Sequence, residues 1–118
     1  MTETDIQSLI RIELSEHGLI FRTNSGEFWQ GDKVYSKEFK RDVLINLRRV
    51  QGLPKGFSDL IFFSRDGKAA FIEVKKLKEK PRPEQEKFLA LMKSMGFSTG
   101  IARSVEDALK IINIKEDI

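Results

Sequence analysis

The sequence contains no cysteine, which excludes disulfides, iron–sulfur clusters, thiolate zinc sites and a cysteine nucleophile together. Its single histidine, His17, removes most histidine-based acid–base and metal chemistry. Beside Gly18, that side chain reads as a solvated residue favoured by a helix C-terminal dipole, without a catalytic part. No apolar run approaches the ~20 residues needed to span a bilayer, and the amino terminus, Met-Thr-Glu-Thr-Asp, is acidic where a signal peptide is basic. An intracellular location, cytoplasm or nucleoid, is the expectation. Repeats, low-complexity tracts and Pro/Gly/Ser-rich linkers are also absent, so the 118 residues are expected to form one domain, 1–118.

The chain is 40% hydrophobic and 33% charged, enough for a core beneath a heavily charged surface. Its net charge of +3 conceals an uneven distribution. Residues 1–20 hold one basic and four acidic groups, residues 33–55 seven basic and two acidic, and residues 75–93 seven basic and three acidic. Folded onto one face, the two basic tracts would form a positive stripe suited to a polyanionic backbone. Arg48, Arg49, Lys55, Lys76, Lys78, Lys80 and Arg82 are the candidate phosphate contacts. Taken alone, the same pattern fits a solvated lysine-rich surface equally well.

Apolar periodicity and capping residues divide the chain into elements. Thr2 or Thr4 can cap a first helix carrying Ile6, Leu9, Ile10 and Leu14 at helical spacing, with Gly18 as a stop signal. Leu19 to Thr23 is β-prone, and Asn24-Ser-Gly26 opens a polar, loop-like region that includes Phe28, Trp29 and Tyr35. Those aromatics could pack on bases or sugars, or at a dimer interface. Residues 33–50 stay ambiguous, because Phe39, Val43, Leu47 and Val50 fit a helical face while Val43-Leu-Ile-Asn-Leu47 fits a strand. A Gly52-Leu-Pro-Lys-Gly56 loop then delivers the chain into Asp59-Leu-Ile-Phe-Phe-Ser64, a hairpin turn follows at Arg65–Lys68, and Ala69 to Lys75 returns. Pro83 begins a second helix that ends at Gly96; Phe97 to Arg103 is a strand, and Ser104 with Asp107 caps a last helix. The order α-β-(?)-β-β-α-β-α places the chain in the α/β class, with a mixed central sheet flanked by helices.

The chemistry concentrates at Asp59, which opens one hairpin strand, and at Glu73 and Lys75, which share a face of the next. Asp is disfavoured in strands, so its place at the head of an apolar one is informative. Antiparallel pairing can bring Asp59 and Glu73 together, and two carboxylates can share a hard divalent ion that keeps several waters. A lysine beside that ion can orient or deprotonate an attacking water and offset charge on a phosphate. Phosphodiester hydrolysis is the implied chemistry.

These residues resemble a known family. Gly56-Phe-Ser-Asp59 with Leu60–Phe63, then Phe71-Ile-Glu-Val-Lys75, resembles the core of the PD-(D/E)xK nucleases. Glu3-x-x-Ile6-Gln7, Gly52-Leu-Pro-Lys-Gly-Phe-Ser-Asp59, Glu73-Val-Lys75 and Gln85 together resemble the VRR-NUC (virus-type replication-repair nuclease) family over residues 3–112. The resemblance implies a restriction-endonuclease-like fold and a magnesium or manganese ion bound by Asp59, Glu73 and the backbone carbonyl of Val74. It further implies that Lys75 acts on the water, with Glu3 completing the acidic site as a further ligand and Gln85 supporting it. A homodimer cutting structured or branched DNA, as Holliday-junction resolvases do, is implied as well. The proline before the aspartate is replaced by Ser58, which removes no chemical group from the site. The competing class is a non-catalytic nucleic-acid-binding module that keeps the nuclease fold, and an RNA substrate is a third alternative, since charge does not distinguish the sugars.

Overall fold

The computed structural model describes residues 1–25 and 27–113. Ile6, Ile10 and Leu14 recur along one side of the first helix, α1 (Glu3–Leu14), and all three are buried. Thr2 rather than Thr4 caps it: the Thr2 hydroxyl accepts from the Asp5 N–H at 3.1 Å while the Asp5 carboxylate accepts from the Thr2 N–H at 2.9 Å. The helix closes on Ser15, before Gly18 is reached. Gly18 instead begins β1 (Gly18–Arg22), where a Cβ would stand 2.3 Å from the Phe63 carbonyl oxygen, so its task is close strand packing rather than helix termination.

The core sheet combines β1 with β4 (Leu60–Ser64), β5 (Ala69–Val74) and β6 (Ser98–Ala102), in the order β1-β4-β5-β6. The first three strands are antiparallel neighbours and β6 runs parallel to β5, as a helical crossover requires. That crossover is α2 (Pro83–Ser94); α3 (Val105–Ile111) follows β6. Ser104 caps α3 by accepting from the Asp107 N–H, while the Asp107 carboxylate reaches one residue further back, to the Arg103 N–H at 2.9 Å. Leu60, Phe62, Ala70, Ile72 and Val74 meet α1 and α3 on one face of the sheet. The opposite face carries Phe71 and Glu73, and α2 covers it only at the β5–β6 end. Phe71 packs edge-on against Phe57, Phe88 and Phe97, with ring centroids 5.3–5.8 Å apart.

The region around Phe28, Trp29 and Tyr35 is not a loop. Residues 27–51 form a separate two-stranded antiparallel ribbon, β2 (Glu27–Ser36) and β3 (Arg41–Gln51), which also settles the ambiguous segment 33–50 as strand, turn and strand. The observed order is thus α-β-β-β-β-β-α-β-α. An irregularity between Gln30 and Asp32 is accommodated opposite by Asn46 at φ 53°, whose amide donates to Asp32 at 3.0 Å. The ribbon projects away from the core. The molecule accordingly measures 59 × 32 × 30 Å, with a radius of gyration of 17.5 Å, against roughly 13 Å for a compact chain of about 100 residues.

Candidate active site

Register assembles the site. Leu60 pairs with Ile72, so one step outward on each strand Asp59 stands opposite Glu73, at the end of the sheet from which the ribbon springs. Asp59 is fixed by its backbone and its side chain: its carbonyl accepts from the Thr23 N–H, and its Oδ2 accepts from the Val74 N–H, both at 2.9 Å. Ser58, just before it, is fully buried with its hydroxyl donating to the Leu60 carbonyl at 3.1 Å. The serine therefore satisfies itself locally and leaves the aspartate in place.

Glu73 is 1% exposed. Its Oε1 accepts from Gln85 Nε2 at 3.0 Å, and its Oε2 is buried with no hydrogen-bond partner of ordinary geometry. Burial is the chief reason its carboxyl is pushed up to about 9; the adjacent Asp59 carboxyl adds to the rise, and Lys75 opposes it. Gln85 is itself held, because its Oε1 accepts from the Arg82 N–H at 2.8 Å and so satisfies a donor at the start of α2. Two contacts seat α2 where Gln85 can do this. Phe57 stacks on Phe88 with centroids 4.4 Å apart, and Gly56, at φ 93°, lies so close to α2 that a Cβ would be 2.6 Å from the Glu84 carbonyl oxygen.

Lys75 is buried, with its Nζ 3.8 Å from Glu79 Oε1. Glu79 also neighbours Glu3, whose carboxyl lies within electrostatic reach of Lys75 and Asp59. Burial, then the like charge of Glu79, raises the Glu3 carboxyl above its ordinary value, with Lys75 opposing. Glu79 does not stand out in the sequence because it sits inside a basic tract, where it counts only as dilution. The signal that could have found it is its i,i+4 spacing from Lys75.

The fold thus brings Glu3, Asp59, Glu73, Lys75 and Gln85 to one end of the sheet, with the Val74 backbone between Glu73 and Lys75. Among the described residues, no three acidic or histidine side chains close into a metal cluster by themselves. The donor set still suits a hard divalent cation, because the unpartnered Glu73 Oε2 lies beside a second carboxylate, and a carbonyl and waters can complete such a shell. Of the basic candidates, Lys76, Lys78, Lys80 and Arg82 are exposed on the β5–α2 connection immediately after Lys75. Lys55 is exposed, with its Nζ 3.8 Å from Glu84 Oε1. Arg48 and Arg49 lie near the base of the ribbon, opposite Gln30 and Trp29, and so point to its two different faces. His17 stands apart from all of these, 3.7 Å from Glu13.

A family model described as "VRR-NUC domain" matches residues 1–106. Among solved structures, a chain described as "VRR_NUC domain" is 20% identical, with TM-score 0.61 over 94% of each chain. Another, described as "VRR_NUC domain protein", is 16% identical, with TM-score 0.58 over 96% of this chain and 86% of the other. At such identities the likeness shows the fold, a mixed sheet flanked by helices. No curated protein matches the sequence, and no helix among the described residues is long and apolar enough to cross a membrane.

Proposed function

The chain belongs to the VRR-NUC family of nuclease-fold domains, and on that premise we propose that it is a metal-dependent endonuclease hydrolysing phosphodiester bonds in structured or branched duplex DNA. The observation that carries this reading is the buried Glu73 carboxylate, with one oxygen held by Gln85 and the other unpartnered beside Asp59. An isolated carboxylate buried in this way is costly, and a pair of them costs more, unless a cation is the intended partner.

Asp59, Glu73 and the Val74 carbonyl would hold magnesium or manganese, with Glu3 as a further ligand from α1. The ion supplies Lewis acidity and makes a bound water more acidic. The protein's own part is positional. The Val74 N–H fixes the Asp59 carboxylate, and Gln85 fixes one Glu73 oxygen so that the other faces the site. Lys75 brings a buried cation beside the attacking water, where it orients that water and offsets charge as it accumulates on the phosphate. Glu79 and Glu3 limit where the lysine ammonium can go. The exposed cations of the β5–α2 connection would track the DNA backbone beside the site. A homodimer would offer two such sites to one branched DNA.

The test is cleavage of labelled single-strand, duplex, flap and four-way-junction DNA with magnesium, manganese or EDTA, in parallel with Asp59→Ala and Glu73→Ala. Metal-dependent cutting that falls at least about a thousandfold in either folded variant is the expected result, because an enzyme loses several kcal/mol of transition-state stabilisation with a metal ligand. Full activity in a folded variant would overturn the site assignment. Tight DNA binding with neither cleavage nor manganese uptake would replace the enzyme with a binding module.

A further inference from the structure

We infer that the turn at residues 76–79 is a positioning element: it returns the Glu79 carboxylate to the Lys75 ammonium and so holds that charge apart from the carboxylates that face the metal. The inference deepens the proposed function and rests on it, since Lys75 matters here as the group beside the attacking water. Glu79 is a positioning residue in this scheme, acting through Lys75 and touching neither substrate nor ion.

Fixing the backbone of a lysine does not fix its charge. The Lys75 N–H donates to the Ala102 carbonyl at 3.1 Å, which continues the β5–β6 pairing one residue past Val74. Beyond the Cα, a flexible four-carbon stem still leads to a compact ammonium that any nearby acceptor can draw. The Lys75 side chain is 6% exposed, so bulk water is a poor acceptor for it, and an unpartnered ammonium there would be costly. Asp59 and Glu73 are the carboxylates proposed as metal ligands, and an ammonium resting on either would compete with the ion for its oxygens and be repelled by its charge. Glu79 removes that conflict. Its Oε1 lies 3.8 Å from Lys75 Nζ, and it reaches the site from the β5–α2 connection rather than from the hairpin that carries Asp59 and Glu73.

The backbone between the two residues is bent against its own preference. The Glu79 N–H donates to the Lys76 carbonyl at 3.1 Å, closing a β-turn, and Lys78 at the third position of that turn takes φ 73°. Such a place is ordinarily given to glycine or asparagine, because a Cβ is crowded there. Burial does not account for the bend, since Leu77 at the second position is 76% exposed. A strained residue persists where its surroundings over-determine it. On one side of the turn stands the pair of Glu79 with Lys75. On the other, Arg103 Nη1 donates to the same Lys76 carbonyl at 3.5 Å, and the Arg103 N–H is itself held by Asp107 at 2.9 Å. The turn is thereby tied to the junction of β6 with α3, and Glu79 is delivered to Lys75 without a helix.

In metal-free protein labelled with 15N-lysine, the held Lys75 ammonium is expected to give a slowly exchanging N–H signal, assigned by its loss in Lys75→Arg. Glu79→Gln keeps the shape and removes the charge. It should erase that signal, leave circular dichroism unchanged and manganese affinity within about twofold, and slow single-turnover cleavage by about tenfold or more, part of the roughly 10²–10⁴ that a placed proton-transfer group contributes. A merely structural residue would instead lower stability and manganese affinity together. Lys78→Gly and Lys78→Val remove the same charge, but glycine accepts φ 73° and a β-branched residue does not. The glycine variant should therefore keep the ammonium signal and the valine variant lose it, with cleavage about tenfold slower in the valine variant, as a misplaced group would produce. A wild type without the signal, an unchanged signal in Glu79→Gln, a manganese affinity that falls in step with the rate, or indistinguishable Lys78 variants would each overturn the inference. Because the signal is read without metal, DNA or cleavage, its failure is distinguishable from failure of the nuclease reading.

Discussion

Glu73 lies beside a second carboxyl, an amide donor and a lysine, and burial outweighs the attraction of the lysine. Its carboxyl therefore titrates near 9 rather than at its ordinary 4.5. Because the folded-state value is raised, the proton is bound more tightly in the native protein than in the unfolded chain. The stability this gives is fully present below about 4.5 and is lost as the pH rises through about 9. Metal-free wild type should thus show a falling Tm between those limits, while Glu73→Gln, which keeps the shape and cannot ionise, should show a much flatter profile. At pH 8 the variant is expected to melt about 5 °C or more above wild type, the shift that roughly 1 kcal/mol produces in a domain of this size. Thermal melts in EDTA across the pH range check this, and parallel profiles for the two proteins would show that Glu73 does not carry the penalty. The same melts repeated with manganese should raise wild type and leave the variant nearly unmoved if Glu73 is a metal ligand.

Among the elements, the loop before β4 and the start of α2 are fitted to each other more tightly than composition alone suggests. Gly56→Ala would combine a backbone at φ 93° with a Cβ pressed 2.6 Å from the Glu84 carbonyl oxygen, a contact that backbone movement alone can relieve. Gly67, in the β4–β5 turn at φ 84°, has nothing within 4 Å of where a Cβ would stand, so Gly67→Ala isolates the conformational cost, about 1–2 kcal/mol. Gly56→Ala should cost more, about 3–4 kcal/mol, and should weaken manganese binding by tilting Gln85 away from Glu73. Chemical denaturation of both variants tests the difference, and equal losses would show that the loop and helix are free to separate. Gly56 was legible in the sequence as loop punctuation, but the contact that demands it was not, because the contact joins segments nearly thirty residues apart. The same limit applied to the ribbon. Its apolar residues lie on both faces, so strict alternation is missing, and the extra residue at Asn46 shifts the phase midway. The helical spacing of Phe39, Val43, Leu47 and Val50 was then a coincidence of that shift. By contrast α1 reads directly because it buries one regular face, while α2 reads from Pro83 at its start and the β4–β5 hairpin from its β-prone runs and turn, although α2 buries only Leu89 and β5 is buried on both faces. Asp59, Glu73 and Lys75 stood out because strands rarely carry such groups facing inward. Gln85 could be read only through family resemblance, because its part depends on how α2 is docked.

At the scale of the whole molecule, the two basic tracts lie on different elements. One follows the ribbon and its return to the core, and the other follows Lys75 into α2. They are therefore separable by experiment. Lys76, Lys78 and Lys80 are exposed beside the carboxylates, so each could neutralise one backbone phosphate of DNA lying across the site. Every phosphate neutralised contributes about 0.9 to the slope of log K against log salt on duplex DNA. Changing all three lysines to glutamine should consequently reduce that slope by up to about 3 and weaken binding similarly on every sequence, since phosphate contacts carry no base information. Manganese binding should change little, because the ligands proposed for it are untouched. Titrations of wild type and the triple variant with labelled duplex across a range of salt concentrations, in calcium to prevent cleavage, measure the difference directly. An unchanged slope would assign these lysines to solvated surface and move the DNA path towards Arg48 and Arg49. A slope reduced only on branched DNA would place the lysines at the branch rather than along the duplex arms, and so connect charge to substrate choice.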